Sequence, residues 1–278
     1  LYICTLNEIK KVVLKRFVQY ILLLLLLTGC GEYQKVVKSK DPEYKYQKAI
    51  EYYEKGKYVR AQTLLEDISM YYKGTDRSQE VLKYMALCFQ NNKDYLSGAE
   101  YFKGYIRNYP KGRYIQLARY GVGHCYYMDA PDARLSQETT KDAIKYLTDY
   151  LDLFPDGEYA SEAAKELEDM YNRLARKEYL NAKLYYNLGT YLGNNYLSCI
   201  ITAQNALKKY PGNRYQEELS WLICAAKYEE LRNSIEEKKE ERREDVTDEC
   251  YNFLTEYPDS QYAKRVKQML ENVKRKRE

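Results

Sequence analysis

Four of the six prolines in the sequence stand in one repeated context, and that context restricts the folds open to the chain. Tyr109-Pro110, Phe154-Pro155, Tyr210-Pro211 and Tyr257-Pro258 each follow a stretch of amphipathic helical pattern. Two positions after each proline comes a small or turn residue (Gly112, Gly157, Asn213, Ser260). Four positions after it stands a tyrosine (Tyr114, Tyr159, Tyr215, Tyr262), and eight positions after it an apolar residue (Ala118, Ala163, Leu219, Val266). Proline stops a helix because it has no N–H and its ring clashes with the preceding turn, and turn residues restart one. The spacing predicts one helix–turn–helix junction used four times. Tyr72-Lys73-Gly74, followed by Val81, is a fifth and degenerate copy. Pro42 precedes the first helix and Pro131 lies in an insertion, so no proline falls inside a predicted helix.

Working back from these stops exposes the repeating unit. Ala49, Tyr52, Tyr58, Ala61, Leu65 and Ile68 sit at the spacing of the tetratricopeptide (TPR) pattern, whose small residues let two helices approach closely. Ala86, Phe89, Tyr95, Gly98, Phe102 and Pro110 repeat it. Gly123, Tyr126, Ala143, Leu147, Tyr150 and Pro155 repeat it again, with an insertion from Ala130 to Gln137 between the helices. A fourth copy has Cys199, Ala203 and Ala206 in its second helix, and a fifth, less regular one runs from Leu219 and Trp221 to Phe253. The expected fold is all-α, a TPR-type α-solenoid of about five helix pairs.

The N-terminus accounts for the charge. Lys10, Lys11, Lys15 and Arg16 precede an apolar run from Phe17 to Leu27. That run is too short to cross a bilayer core, which takes about 20 helical residues. A basic stretch, a short apolar run and small residues make a secretory signal peptide over residues 1–29. Leu27-Thr28-Gly29-Cys30 resembles the bacterial lipoprotein box, and the resemblance implies acylation of the Cys30 thiol, with palmitate among the chains, and cleavage just before it. Residues 1–29 hold four of the 45 basic side chains and one of the 41 acidic ones, Glu8, so the rest carries 41 against 40. The net charge of +4 thus belongs mainly to the leader, and no electrostatic case for nucleic acid remains. Residues 30–41 are expected to be a short tether, and 42–278 the solenoid, with N-terminal repeats over 42–158 and C-terminal repeats over 159–278.

Catalytic equipment is sparse. The single histidine, His124, leaves little room for His-based triads or multi-His metal sites. No phosphate-binding loop, dinucleotide fingerprint, nucleophile elbow or zinc-protease motif is present, so neither catalytic residues nor a metal or other cofactor is expected. The body cysteines, Cys88, Cys125, Cys199, Cys224 and Cys250, are odd in number and lack a C-x-x-C pair, which argues against a disulfide framework or a zinc site. Buried thiols acting as small hydrophobes are expected instead. Glu236 to Asp245 is a run of ten charges without an apolar face, read as a solvated helix extension or linker, with an electrostatic docking strip as the alternative.

In TPR arrays the first helix of each pair lines a concave face. By register the candidate partner-binding groove comprises Tyr46 and Tyr53, then Lys83 and Gln90, then Tyr120, His124 and Tyr127. Tyrosine offers broad contact area and a hydroxyl at small entropy cost, which suits an extended peptide.

A lipoprotein box, a tether and five TPR repeats ending in aromatic-Pro turns resemble the BamD family of outer-membrane β-barrel assembly lipoproteins. The parts that carry the likeness are Tyr46-x-x-Ala49 through Gly56-x-Tyr58-x-x-Ala61, the insertion from Asp132 through Thr140 to Ala143, and Leu174 to Tyr179 leading to Tyr185-Tyr186. The resemblance implies a non-enzymatic assembly factor anchored through Cys30 on the periplasmic face of the cell outer membrane. It implies two protein partners: the periplasmic POTRA region of a BamA-like outer-membrane barrel protein, and unfolded barrel precursors. Gly31 and Glu32 start no acid-rich run, which favours the inward-facing leaflet. The alternative is another TPR lipoprotein of the envelope, coordinating cell-wall synthesis or outer-membrane constriction. A glycan-binding or glycan-cleaving lipoprotein is a third class, for which one tryptophan, Trp221, is meagre provision.

Overall fold

The computed structural model describes residues 31–275, and within them the chain is all-helical, with twelve helices and no strand. Cys30 and the leader lie outside the described residues. The helices are α1 (31–38), α2 (Pro42–Glu54), α3 (Tyr58–Ser69), α4 (Arg77–Asn91), α5 (Tyr95–Asn108), α6 (Ile115–Asp129) and α7 (Glu138–Leu153). They continue as α8 (Ala160–Leu188), α9 (Asn195–Lys209), α10 (Gln216–Arg232), α11 (Glu236–Glu256) and α12 (Ala263–Arg275). From α2 to α5 and again from α7 to α12, each helix packs mainly on the next, as a TPR-type solenoid requires. The chain divides into two compact bodies, one ending at Ala118 and one starting at Arg119. The turn between α7 and α8, at 158/159, lies inside the C-terminal body.

The four proline junctions leave their helices with the same backbone conformation, and their chemistry is local. The aromatic residue before each proline (Tyr109, Phe154, Tyr210, Tyr257) ends its helix with φ between −127° and −139° and ψ between 64° and 67°. The clash of a proline ring with the preceding residue excludes the helical region there and forces this exit. The apolar residue eight positions after each proline donates the first helical bond back to the junction tyrosine's carbonyl, at 2.9 to 3.0 Å. Ala118, Ala163, Leu219 and Val266 are all buried, so the repeated apolar position is where the next helix both closes its first turn and enters the core.

The junction tyrosine's own N–H is satisfied in two ways. In the first two junctions a buried tyrosine of the preceding helix accepts it: Tyr114 N–H donates to the Tyr105 hydroxyl (2.9 Å), and Tyr159 N–H to the Tyr150 hydroxyl (3.0 Å). The equivalent preceding-helix positions in the last two junctions are Ala206 and Phe253, which can accept nothing. There the turn residue takes over: Tyr215 N–H donates to Asn213 Oδ1 (2.8 Å) and Tyr262 N–H to Ser260 Oγ (2.9 Å). Glycine at the turn goes with tyrosine in the helix. A Cβ on Gly112 would stand 2.4 Å from the Tyr105 hydroxyl, so the tyrosine device needs the glycine.

Within each pair the helices are capped and closely packed. Asp41 accepts from Glu43 N–H and Tyr44 N–H ahead of Pro42 at the start of α2, and Asp94 and Asn194 cap α5 and α9 through Ser97 N–H and Leu197 N–H. Gly123 lets α6 and α7 meet at short range, since a Cβ there would lie 2.8 Å from Leu147 Cδ2 and 3.1 Å from its backbone nitrogen. The insertion between these helices is ordered by buried Gln137, whose amide donates to the carbonyls of Asp132 (2.9 Å) and Leu135 (3.1 Å). Residues 31–38, expected to be part of a tether, are helical: Val36 is fully buried and the Tyr33 ring meets the Tyr52 ring edge-on at 5.6 Å. Val36, Tyr33 and Val37 pack this short segment on the first core cluster. The charge run 236–245 is the first half of α11, with none of its residues buried, and it carries Glu236–Lys239 and Glu240–Arg243 pairs one turn apart.

Candidate functional site

The predicted groove residues fall in two places, one in each body. In the N-terminal body, Tyr46 is only 7% exposed, because α2 turns it toward α4 rather than outward. Its hydroxyl donates to Glu80 Oε2 (2.5 Å), and the Arg77 guanidinium lies over its ring at 4.4 Å. Burial and then Glu80 push the Tyr46 phenol well above its ordinary range. Tyr46 therefore holds a charged pair in place and offers little surface of its own. Arg77, Gln79, Glu80, Arg113 and Tyr114 line a cleft of about 510 Å³ beside it.

Tyr53 is half-buried against the rings of Tyr58 (5.5 Å) and Tyr84 (5.2 Å), and accepts a hydrogen bond from Asn91. The Lys83 ammonium sits over two rings, Tyr84 at 3.9 Å and Tyr114 at 4.4 Å, and burial lowers its pKa. Gln90 is half-buried on the same helix, two turns along. Lys83, Tyr84 and Tyr114 thus make a cation–aromatic cluster that Tyr46, through Glu80 and Arg77, does not join directly.

In the C-terminal body the three predicted residues do come together. Tyr120, His124 and Tyr127 follow one another along α6, with His124 4 residues from Tyr120 and ring centroids 5.4 Å apart, then 6.1 Å from His124 to Tyr127. Facing them from α8 is Glu166, 8% exposed. Its Oε1 receives the Tyr120 hydroxyl (2.9 Å) and lies 2.7 Å from His124 Nδ1. Its Oε2 has no hydrogen-bond partner. Tyr127 reaches Asp169 Oδ2 at 3.5 Å, one turn further along α8, and Asp169 in turn pairs with Arg214 at 2.9 Å. Burial first, and then the Glu166 charge, raise the Tyr120 phenol far above its usual range, so it stays a hydrogen-bond donor at any physiological pH.

Sequence reasoning missed Glu166. The signal was there: it sits on the buried stripe of α8 with Ala163 and Met170, where a carboxylate is out of place. Reasoning also missed how the face is built between repeats. Each junction tyrosine is covered by a group from the preceding part of the chain: Tyr114 by Lys83, Tyr159 by Tyr120 (4.8 Å, 2°), Tyr215 by Tyr179 (5.4 Å, 14°) and Tyr262 by Trp221 (4.8 Å, 4°). Lys83 and Tyr120 consequently act as packing partners as well as surface.

Chemically, these faces can bind by ring contact, by carboxylates and by a few cations. No group of three or more His, Cys, Asp or Glu among the described residues could hold a metal ion. No helix among them is long and apolar enough to cross a membrane. A family model described as outer membrane lipoprotein, YfiO, matches residues 38–193 and 188–276. None of the curated proteins matches the chain.

Proposed function

We propose, from the premise that this chain belongs to the YfiO family of outer membrane lipoproteins, that it is a non-enzymatic, periplasm-facing assembly factor of the BamD type. The observation that carries this reading is the build of its first-helix faces. Lys83, Tyr84 and Tyr114 in the N-terminal body, and Tyr120, His124 and Tyr127 in the C-terminal body, present rings, hydroxyls and single charges rather than a nucleophile held by a base. Such faces suit extended polypeptide, which brings its own main-chain donors and acceptors and asks for contact area. The N-terminal repeats would meet unfolded barrel precursors, and the C-terminal repeats the POTRA region of a BamA-like barrel protein. Cys30 would carry the lipid.

The test is affinity isolation of the anchored protein from detergent-solubilised outer membrane. Co-purification of a BamA-like barrel protein is expected. Recovery of wall-synthesis or constriction proteins alone would instead favour another kind of envelope scaffold. Cys30→Ala should release the chain from the membrane fraction.

A further inference from the structure

Two sulfurs meet where α10 packs on α11. Cys224 and Cys250 are both fully buried, 26 residues apart in sequence, with their Sγ atoms 3.3 Å apart. A disulfide bond is about 2.05 Å long, so each sulfur need move only about 0.6 Å to form one. The helices are held in register on both sides of the contact. Lys227 and Glu249 pair at 2.6 Å, and Arg242 and Glu230 at 2.9 Å.

We propose that Cys224 and Cys250 are joined by a disulfide in the exported protein. The proposal rests on the family's outer-membrane location, because a chain bound there crosses a compartment that oxidises thiols. The oxidant is a thiol–disulfide carrier. One cysteine thiolate attacks the carrier's disulfide and displaces one carrier thiolate, leaving a mixed disulfide. The second cysteine thiolate attacks its neighbour's sulfur and displaces the other. The cysteines give up two protons and two electrons, and the carrier leaves as a dithiol.

The fold also sets the timing. Both sulfurs are fully buried once the helices dock, and the contact with Cys250, and then burial, raise the Cys224 thiol far above its ordinary range, so docked Cys224 holds almost no thiolate. Oxidation belongs to the stage when α10 and α11 are closing on each other, and afterwards the bond is shielded from reductants. The benefit falls on α11, whose buried residues are Val246, Cys250 and Phe253, with none in the charged half that precedes them. A crosslink at Cys250, between Val246 and Phe253, fixes the half of the helix from which the unburied charged half extends.

The test uses the full chain, made with its leader and isolated from outer membrane without reductant. The protein is unfolded in the presence of an alkylating reagent, so that every free thiol is trapped as it is exposed, and the five body cysteines are mapped by peptide mass. Cys88, Cys125 and Cys199 should be alkylated, and the Cys224 and Cys250 peptides should be joined and lighter by about 2 Da, separating on reduction. Membrane-bound protein with all five alkylated would overturn the proposal while leaving the family reading intact. As a second readout, reductant should lower the urea midpoint of the wild type and leave that of Cys224→Ser unchanged. No reductant effect on the wild type would also overturn it.

Discussion

The hydroxyl of Tyr105 accepts the backbone N–H of Tyr114, 2.9 Å away on the far side of the Pro110 turn. The same hydroxyl donates to Gln79 Oε1 at 2.8 Å, so a fully buried phenol uses both of its hydrogen-bonding roles. Tyr105→Phe should cost about 1–2 kcal/mol, the usual penalty for orphaning buried polar groups. Gly112→Asn should also destabilise, by about 1–3 kcal/mol, through its clash with that hydroxyl. The double variant removes the clashing hydroxyl and sets an Asn acceptor at the turn, as Asn213 is set, so its loss should fall short of the sum by about 1 kcal/mol or more. A urea-unfolding double-mutant cycle with no coupling would refute the exchange of partners.

Gly123→Ala places a methyl group against Leu147, on a helix whose backbone nitrogen is also within 3.1 Å of it. A leucine can shift but a helix backbone yields less readily, so a loss of about 1–3 kcal/mol is expected. Chemical unfolding measures it. A variant as stable as the parent would mean that α6 and α7 are looser than their packing indicates.

His124→Ala leaves the buried Glu166 carboxylate without its nearest partner, and should cost about 1–3 kcal/mol. Glu166→Gln should cost less, because the amide keeps an acceptor for Tyr120 and needs less solvation. If the two variants rank the other way in urea midpoint, the carboxylate is not what His124 supports.

Alkaline pH should weaken the fold through its tyrosines. Burial, then a hydrogen bond from the phenol to Glu43, raises Tyr72 to about 12, and burial followed by Glu158 raises Tyr159 to about 12. An unfolded tyrosine ionises near 10, so between about pH 10 and 12 the folded state binds more protons than the unfolded one. Stability from these groups is complete below about pH 10 and declines as pH rises toward 12. Urea midpoints from pH 8 upward, with Tyr72→Phe and Tyr159→Phe flattening part of the decline, provide the check.

Cys88, Cys125 and Cys199 are fully buried, and burial pushes each thiol to about 12. A thiol reagent at neutral pH should label them only after unfolding. Rapid labelling of native protein would show that these helices open readily.

The proline junctions were legible in the sequence because their causes are local: a missing N–H, a ring clash and a turn residue all act within a few positions. TPR class and repeat register follow from them. Depth of burial was not legible. Tyr46 and Tyr53 occupy equivalent-looking stripe positions on α2, yet the hydroxyl of one is spent on Glu80 while the other stays half exposed. The stripe of α8 marks Glu166 as out of place, but its pairing with Tyr120 and His124 shows only once α6 is placed against it. The Tyr105–Gly112 dependence spans seven positions in sequence and becomes visible only when the hydroxyl is placed on the turn.

α8 is an unbroken helix of 29 residues, about 43 Å long at 1.5 Å per residue. Its first half docks through Ala163 beside Leu147 and Tyr150, and its second through Ala182 beside Cys199 and Ala203. It therefore works as a ruler with a phase. Each residue inserted between Glu166 and Ala182 would lengthen the spacing by about 1.5 Å and swing one docking stripe about 100° away from the other. Substitutions here can be absorbed by neighbouring side chains, but changes of length cannot, apart from steps near seven residues that restore two whole turns. Natural variation in α8 should be rich in exchanges and nearly empty of insertions.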